Sequence, residues 1–85
     1  MHAVVVKVAI SQPDPARLRE EVVPRVKQMP GFVAGYWTRG GSEGLSMVVF
    51  DSEEHARAAS DQVPSQLPDN VTLQSNEVRE VIAHA

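Results

Sequence analysis

Apolar positions along the chain fall into blocks with two different periods. From Ala3 to Ile10 the residues are apolar and mostly β-branched, interrupted only by Lys7. As a strand, this stretch puts Val4, Val6, Val8 and Ile10 on one face and Ala3, Val5 and Ala9 on the other, with Lys7 between Val5 and Ala9. A half-exposed strand alternates apolar and polar residues; apolar residues on both faces predict a central strand covered on both sides. A small domain seldom covers both faces of its sheet alone, so a partner subunit is expected on one of them. Lys7 then reads either as a rim lysine stretching its ammonium to water or as a cationic group in a pocket.

Ser11-Gln12-Pro13-Asp14-Pro15 breaks this strand and starts a helix, with Asp14 as a cap and Pro15 at the first helical position. Leu18, Val22, Val26 and Met29 follow at helical spacing, and Arg17, Arg19, Glu20, Glu21, Arg25 and Lys27 fall mainly outside that stripe. Pro24 removes the hydrogen bond to Glu20, so a kink or a split is expected there.

Pro30-Gly31 ends the helix and opens a second strand, Phe32 to Arg39, which holds the only Trp, the only Tyr and one of the two Phe of the chain. Strict alternation puts Phe32, Ala34, Tyr36 and Thr38 on one face and Val33, Gly35, Trp37 and Arg39 on the other. Phe32 follows the helix directly and is expected beneath Met29. Trp37 and Arg39 would then point away from the helices, to the side of Lys7. Gly35 clears space beside Trp37, as strand glycines do where another group comes close.

Gly40-Gly41-Ser42-Glu43-Gly44 reads as a hairpin turn. It is not a phosphate loop, because no Gly-Lys-Ser/Thr follows and no helix opens after it. Leu45 to Phe50, apolar on both faces, is expected as the other central strand. Asp51-Ser52-Glu53-Glu54 reads as a capping box with Asp51 as N-cap, and a second helix is expected from about Glu53 to Val63. Its buried stripe would be Ala56, Ala59 and Val63; His55, in its first turn, reads as a surface residue. Pro64 to Asn70 reads as a loop. Val71 to Ala83 is long for a strand, and Val71 and Leu73 differ in parity from Val78 and Ile82, which predicts a bulge near Ser75-Asn76.

The order strand, helix, strand, strand, helix, strand is the ferredoxin-like βαββαβ plan, an α+β fold with both helices on one face of an antiparallel sheet. With the other face also apolar, two sheets packed face to face would make a dimeric α+β barrel enclosing a cavity, with residues 1–85 as a single domain. At 85 residues such a domain is marginal alone, and with no Cys it has neither disulfides nor a Cys-based metal site to brace it. Oligomerisation is the remaining common remedy. The net charge of −3, with eight basic residues scattered along the chain, weighs against nucleic acid. No apolar run is long enough to span a membrane. Met1 to Lys7 lacks the pattern of a secretory signal, so the default expectation is a cytoplasmic protein.

Pro30-Gly31-Phe32, the hairpin after it and the strand-to-helix junction Val48-Val49-Phe50-Asp51-Ser52-Glu53-Glu54-His55-Ala56 resemble the antibiotic biosynthesis monooxygenase-like family of the dimeric α+β barrel superfamily. Chain length and element order agree over most of the chain. The resemblance implies a homodimer and a cavity, but no single reaction: the superfamily includes cofactor-free monooxygenases, haem-degrading enzymes, dehydratases and isomerases. The haem-degrading members carry an Asn on the first strand and a Trp and a His on the second helical region. Here the first strand has Lys7 and no Asn, Trp37 is on the second strand, and the second helix has His55 without a Trp. No catalytic residue carries over, and haem degradation is not expected. No redox cofactor motif is present, and neither a cofactor nor a metal is expected.

Three functional readings follow. In the first, a cofactor-independent monooxygenase-like enzyme takes a small aromatic or polyketide-like compound, such as a phenol or quinone precursor; Trp37 stacks on its ring and Lys7 or Arg39 stabilises an oxyanion. In the second, Lys7, Trp37 and Arg39 hold a small aromatic or anionic ligand without chemistry. In the third, Trp37 is dimer core, Lys7 and Arg39 lie at its rim and the barrel is filled. An enzyme or a binder needs an open cavity of about 300 Å³ or more lined by Trp37. A Trp37 beneath the helices would contradict the strand register and the shared site together.

Overall fold

The apolar stretch at the N-terminus forms the centre of the sheet. In the computed structural model, which describes residues 1–11, 15–67 and 70–85, β1 (His2–Ile10) pairs antiparallel with β3 (Glu43–Phe50) on one side and β4 (Val71–Glu80) on the other. The hairpin joins β2 (Phe32–Gly40) to the outer edge of β3, so the four-stranded order is β2-β3-β1-β4. β1 and β3 are the two central strands, as their apolar faces require. With two helices crossing between strands, this α+β arrangement is compatible with a ferredoxin-like fold.

The first helix, α1 (15–27), consists of Pro15–Arg17, a π turn over Leu18–Val22 and Val23–Lys27. Pro24 explains the π turn. Its ring has no N–H to give and crowds the carbonyl four residues back, so the turn before it widens and Val23 N–H donates to Leu18 O, five residues back. The helix is thus widened rather than split. The expected cap, Asp14, lies outside the described residues. Val26 is buried, and Val22 and Met29 pack against the same core.

The second helix, α2 (Glu53–Gln66), starts one residue later than a cap at Asp51 would place it. Ser52 is the N-cap: its backbone is extended and its Oγ accepts from His55 N–H at 3.2 Å. The helix also runs through Pro64 to Gln66 instead of ending at Val63. Ala56 and Ala59, both buried, let α2 lie close to the sheet. Their neighbours in the core are Val4, Val6, Val48 and Phe50, with Phe32 standing edge-on to Phe50 at 6.4 Å between ring centres and 82°.

Each edge strand carries one extra residue. In β4, Leu73 lies opposite Val8 and Ser75 opposite Lys7, so Gln74 is the bulge, one residue before the expected site. It keeps Val71, Leu73 and Val78 on the helix face despite their mismatched parity. In β2, Phe32 lies opposite Phe50 and Ala34 opposite Val49, so Val33 is extra. This second bulge was not expected, and it decides where Trp37 goes.

Candidate functional site: a cleft between the helices and the sheet

Because Val33 is an extra residue, Phe32 does not fix the parity of the rest of β2. Beyond the bulge Gly35 lies opposite Val48, Trp37 opposite Ser46 and Arg39 opposite Gly44, and these partners share the face of Val4, Val6 and Val8. Trp37 therefore stands beneath the helices with Phe32, and strict alternation from Phe32 placed it on the wrong side. Lys7 lies opposite Leu45, on the other face, exposed and 3.8 Å from Glu43 Oε2. The expected grouping of Lys7, Trp37 and Arg39 is not formed: Trp37 and Arg39 share the helix face and Lys7 is separated from them by the sheet.

A cleft of about 300 Å³ opens between the helices and this face. Its inner wall is Val4, Val6, Val48 and Phe50; Val22 and Val26 of α1, Met29 in the turn after it, and Ala59 and Val63 of α2 close it from above. Trp37 forms the side wall towards the β2 edge. Its indole lies across Gly35: a Cβ on Gly35 would sit 3.0 Å from both Cη2 and Cζ3 of the ring. Gly44 has a similar part in the floor, where a Cβ would sit 2.9 Å from Val8 Cγ2 and 3.0 Å from Ile10 Cδ1.

Apart from Ser46, which lies opposite Trp37 and Val6, the polar lining gathers at one end. Arg39 comes from the end of β2, Arg17 from the start of α1, Gln66 from the end of α2 and Asn70 from the connection to β4. Arg17 donates from Nε to Glu21 Oε2 at 2.9 Å. Arg39 forms no ion pair among the described residues. No Asp, Glu, His or Lys lines the cleft among those residues, so the lining offers cations and an aromatic ring but no carboxylate or imidazole to move a proton. Sequence reading placed Arg17 outside the apolar stripe and missed its part here. The available signal was its position next to Leu18, at the stripe's edge.

The opposite face of the sheet is uncovered. Tyr36, Leu45 and Met47 are 66, 49 and 45% exposed there, in register with Val5 and Lys7 of β1.

A second polar group lies at the start of α2. His55 Nδ1–H donates to Asp51 Oδ1 at 2.6 Å, and this bond is the main reason the Asp51 carboxyl is held below its usual range. Glu53 is lowered as well, mainly by its bond from Arg57. Gly31, with φ of +80°, packs against both Asp51 and His55, and its carbonyl accepts from Asp51 N–H at 2.8 Å. The pair fastens the β3–α2 junction to the start of β2 and lies outside the cleft. Among the described residues no group of three or more His, Asp or Glu is placed to hold a metal ion, and no helix is long and apolar enough to cross a membrane. No protein-family model matches the chain, and no curated protein matches it.

Proposed function

We propose that this protein is a small-molecule-binding module that pairs through the open face of its sheet into a dimeric α+β barrel, each protomer holding an apolar or aromatic ligand in its own helix-side cleft. The observation that carries the ligand reading is Trp37 turned under the helices onto Gly35, forming a wall of a cavity of about 300 Å³. That volume is at the small end of the range for ligand sites, and the mostly apolar lining with a few polar groups at one end is their usual make-up. The pairing is supported by the exposed apolar residues of the opposite face and by the likeness to the antibiotic biosynthesis monooxygenase-like family. Contiguous apolar patches of that kind mark interaction surfaces.

A monooxygenase-like reaction on a phenolic substrate is the second reading. Trp37 and Arg39 on one wall favour it, as a stacking ring and a cation for an oxyanion. The lack of an acid–base group among the described lining residues favours binding without chemistry. Two measurements test the proposal. Native mass spectrometry of the purified protein is expected to give a dimer, and Tyr36→Asp a monomer; a monomeric wild type, or a dimeric variant, would overturn the pairing. Titration with octanol and with naphthol is expected to change Trp37 fluorescence saturably. No change with either would overturn the cleft as a ligand site.

A further inference from the structure

We propose that the ligand of the cleft is an amphipathic carboxylate, its apolar part among Val6, Val48 and Phe50 and its carboxylate at the mouth, between Arg39 and Arg17. This rests on the reading of the cleft as a ligand site and adds where the charge of the ligand lies.

Three observations carry it. First, charge at the cleft is one-sided. In a chain of net charge −3, the only charged residues in the lining among those described are two arginines. Second, both belong to the same end. Arg39 lies opposite Gly44, which lies opposite Val8 near the end of β1, and α1 begins shortly after β1 ends at Ile10, so Arg17 in its first turn is at that end too. The far end, at Val4, Phe50 and Met29, is apolar. Third, the two arginines differ in how they are held among the described residues. Glu21 takes Arg17, whereas Arg39 has no ion pair among the described residues. A neighbouring polar hollow of about 210 Å³, between α1 and the end of α2, shares Arg17 and Gln66 with the cleft and adds Glu21 and Arg25, which makes two cations to one carboxylate among its described lining residues.

A planar guanidinium recognises a carboxylate through two parallel hydrogen bonds, and it does so best at the rim of an apolar wall where water competes less. The apolar part supplies affinity by leaving water, and the head sets its direction in the cleft. A neutral molecule of the same length would fill the same space and leave Arg39 unused.

Trp37 is the only Trp, so its fluorescence reports on the cleft alone. The experiment titrates octanoate and octanol into the wild type and into Arg39→Ala. The wild type is expected to bind octanoate roughly tenfold more tightly than octanol, the gain of a charge-assisted hydrogen bond. In Arg39→Ala, the preference for octanoate is expected to shrink several-fold, with Arg17 keeping the remainder, and an unchanged far-UV circular dichroism spectrum shows that the variant is folded. Equal affinities in the wild type would overturn the carboxylate and leave the cleft standing. A preference for octanoate that persists in full in Arg39→Ala would overturn the position of the head. No response to either compound would overturn the ligand site itself.

Discussion

Asn76 in β4 binds Ser60 in α2 twice: its Nδ2 donates to Ser60 O at 2.9 Å, and its Oδ1 accepts from Ser60 Oγ at 2.7 Å. The carbonyl it takes is the one Pro64 leaves open, four residues further along the helix. A side chain of the sheet thus replaces a missing helix bond and ties the middle of α2 to β4. Asn76→Ala should destabilise the fold by about 1–3 kcal/mol, because it leaves a half-buried carbonyl without a partner. In a Pro64→Ala background the helix supplies its own N–H, so the same change should cost less. Urea denaturation of the four proteins gives the coupling; equal costs in both backgrounds would contradict it.

Gly31 should tolerate no side chain. Its φ of +80° strains any L-residue, and a Cβ there would run into His55 and Asp51. Gly31→Ala is expected to cost about 1–3 kcal/mol by thermal or urea unfolding. Adding His55→Ala should recover only part of it, since the backbone strain remains.

The Asp51–His55 pair makes stability sensitive to acid. Folding lowers the Asp51 pKa below 3.8, so its contribution is complete above that value and disappears as pH falls through the lowered folded value. Glu53, lowered from 4.5, acts in the same direction. Unfolding midpoints of the wild type and Asp51→Asn, followed from neutral pH to about pH 2, should differ at neutral pH and converge at the acid end. A constant difference would exclude the pair as its cause.

Gly35 holds the place of the indole. Gly35→Ala puts a methyl group 3.0 Å from two ring carbons, so Trp37 must move into the cleft or the strand must shift. The expected cost is about 1–3 kcal/mol, as for overpacking elsewhere, with a shifted Trp37 emission and weaker octanol binding. Unchanged emission would mean that the ring does not rest there.

Much of the architecture was legible because it follows from period and parity. The two-faced apolar runs at Ala3–Ile10 and Leu45–Phe50 mark central strands, and the mismatch between Leu73 and Val78 announced the β4 bulge to within a residue. The bulge at Val33 gave no such sign. Phe32 and Trp37 differ in parity, but that is also how an ordinary strand with two apolar faces reads, and only the pairing of Phe32 with Phe50 separates the two cases. One unseen residue moved Trp37 and Arg39 through the sheet and away from Lys7. Local chemistry had the same ambiguity. Asp51 and Ser52 are both good caps, and Asp51 is held instead by His55. Pro64 looked like a helix end because the partner that rescues its missing bond, Asn76, is remote in sequence.

The most direct test of the central claim is to find which face of the sheet a bound molecule touches. In a sample saturated with octanoate, intermolecular nuclear Overhauser effects should run from the alkyl protons to the Trp37 indole and to the methyl groups of Val6 and Val48. Contacts to Tyr36, Met47 and Val5 instead would place the ligand on the open face and contradict the helix-side cleft.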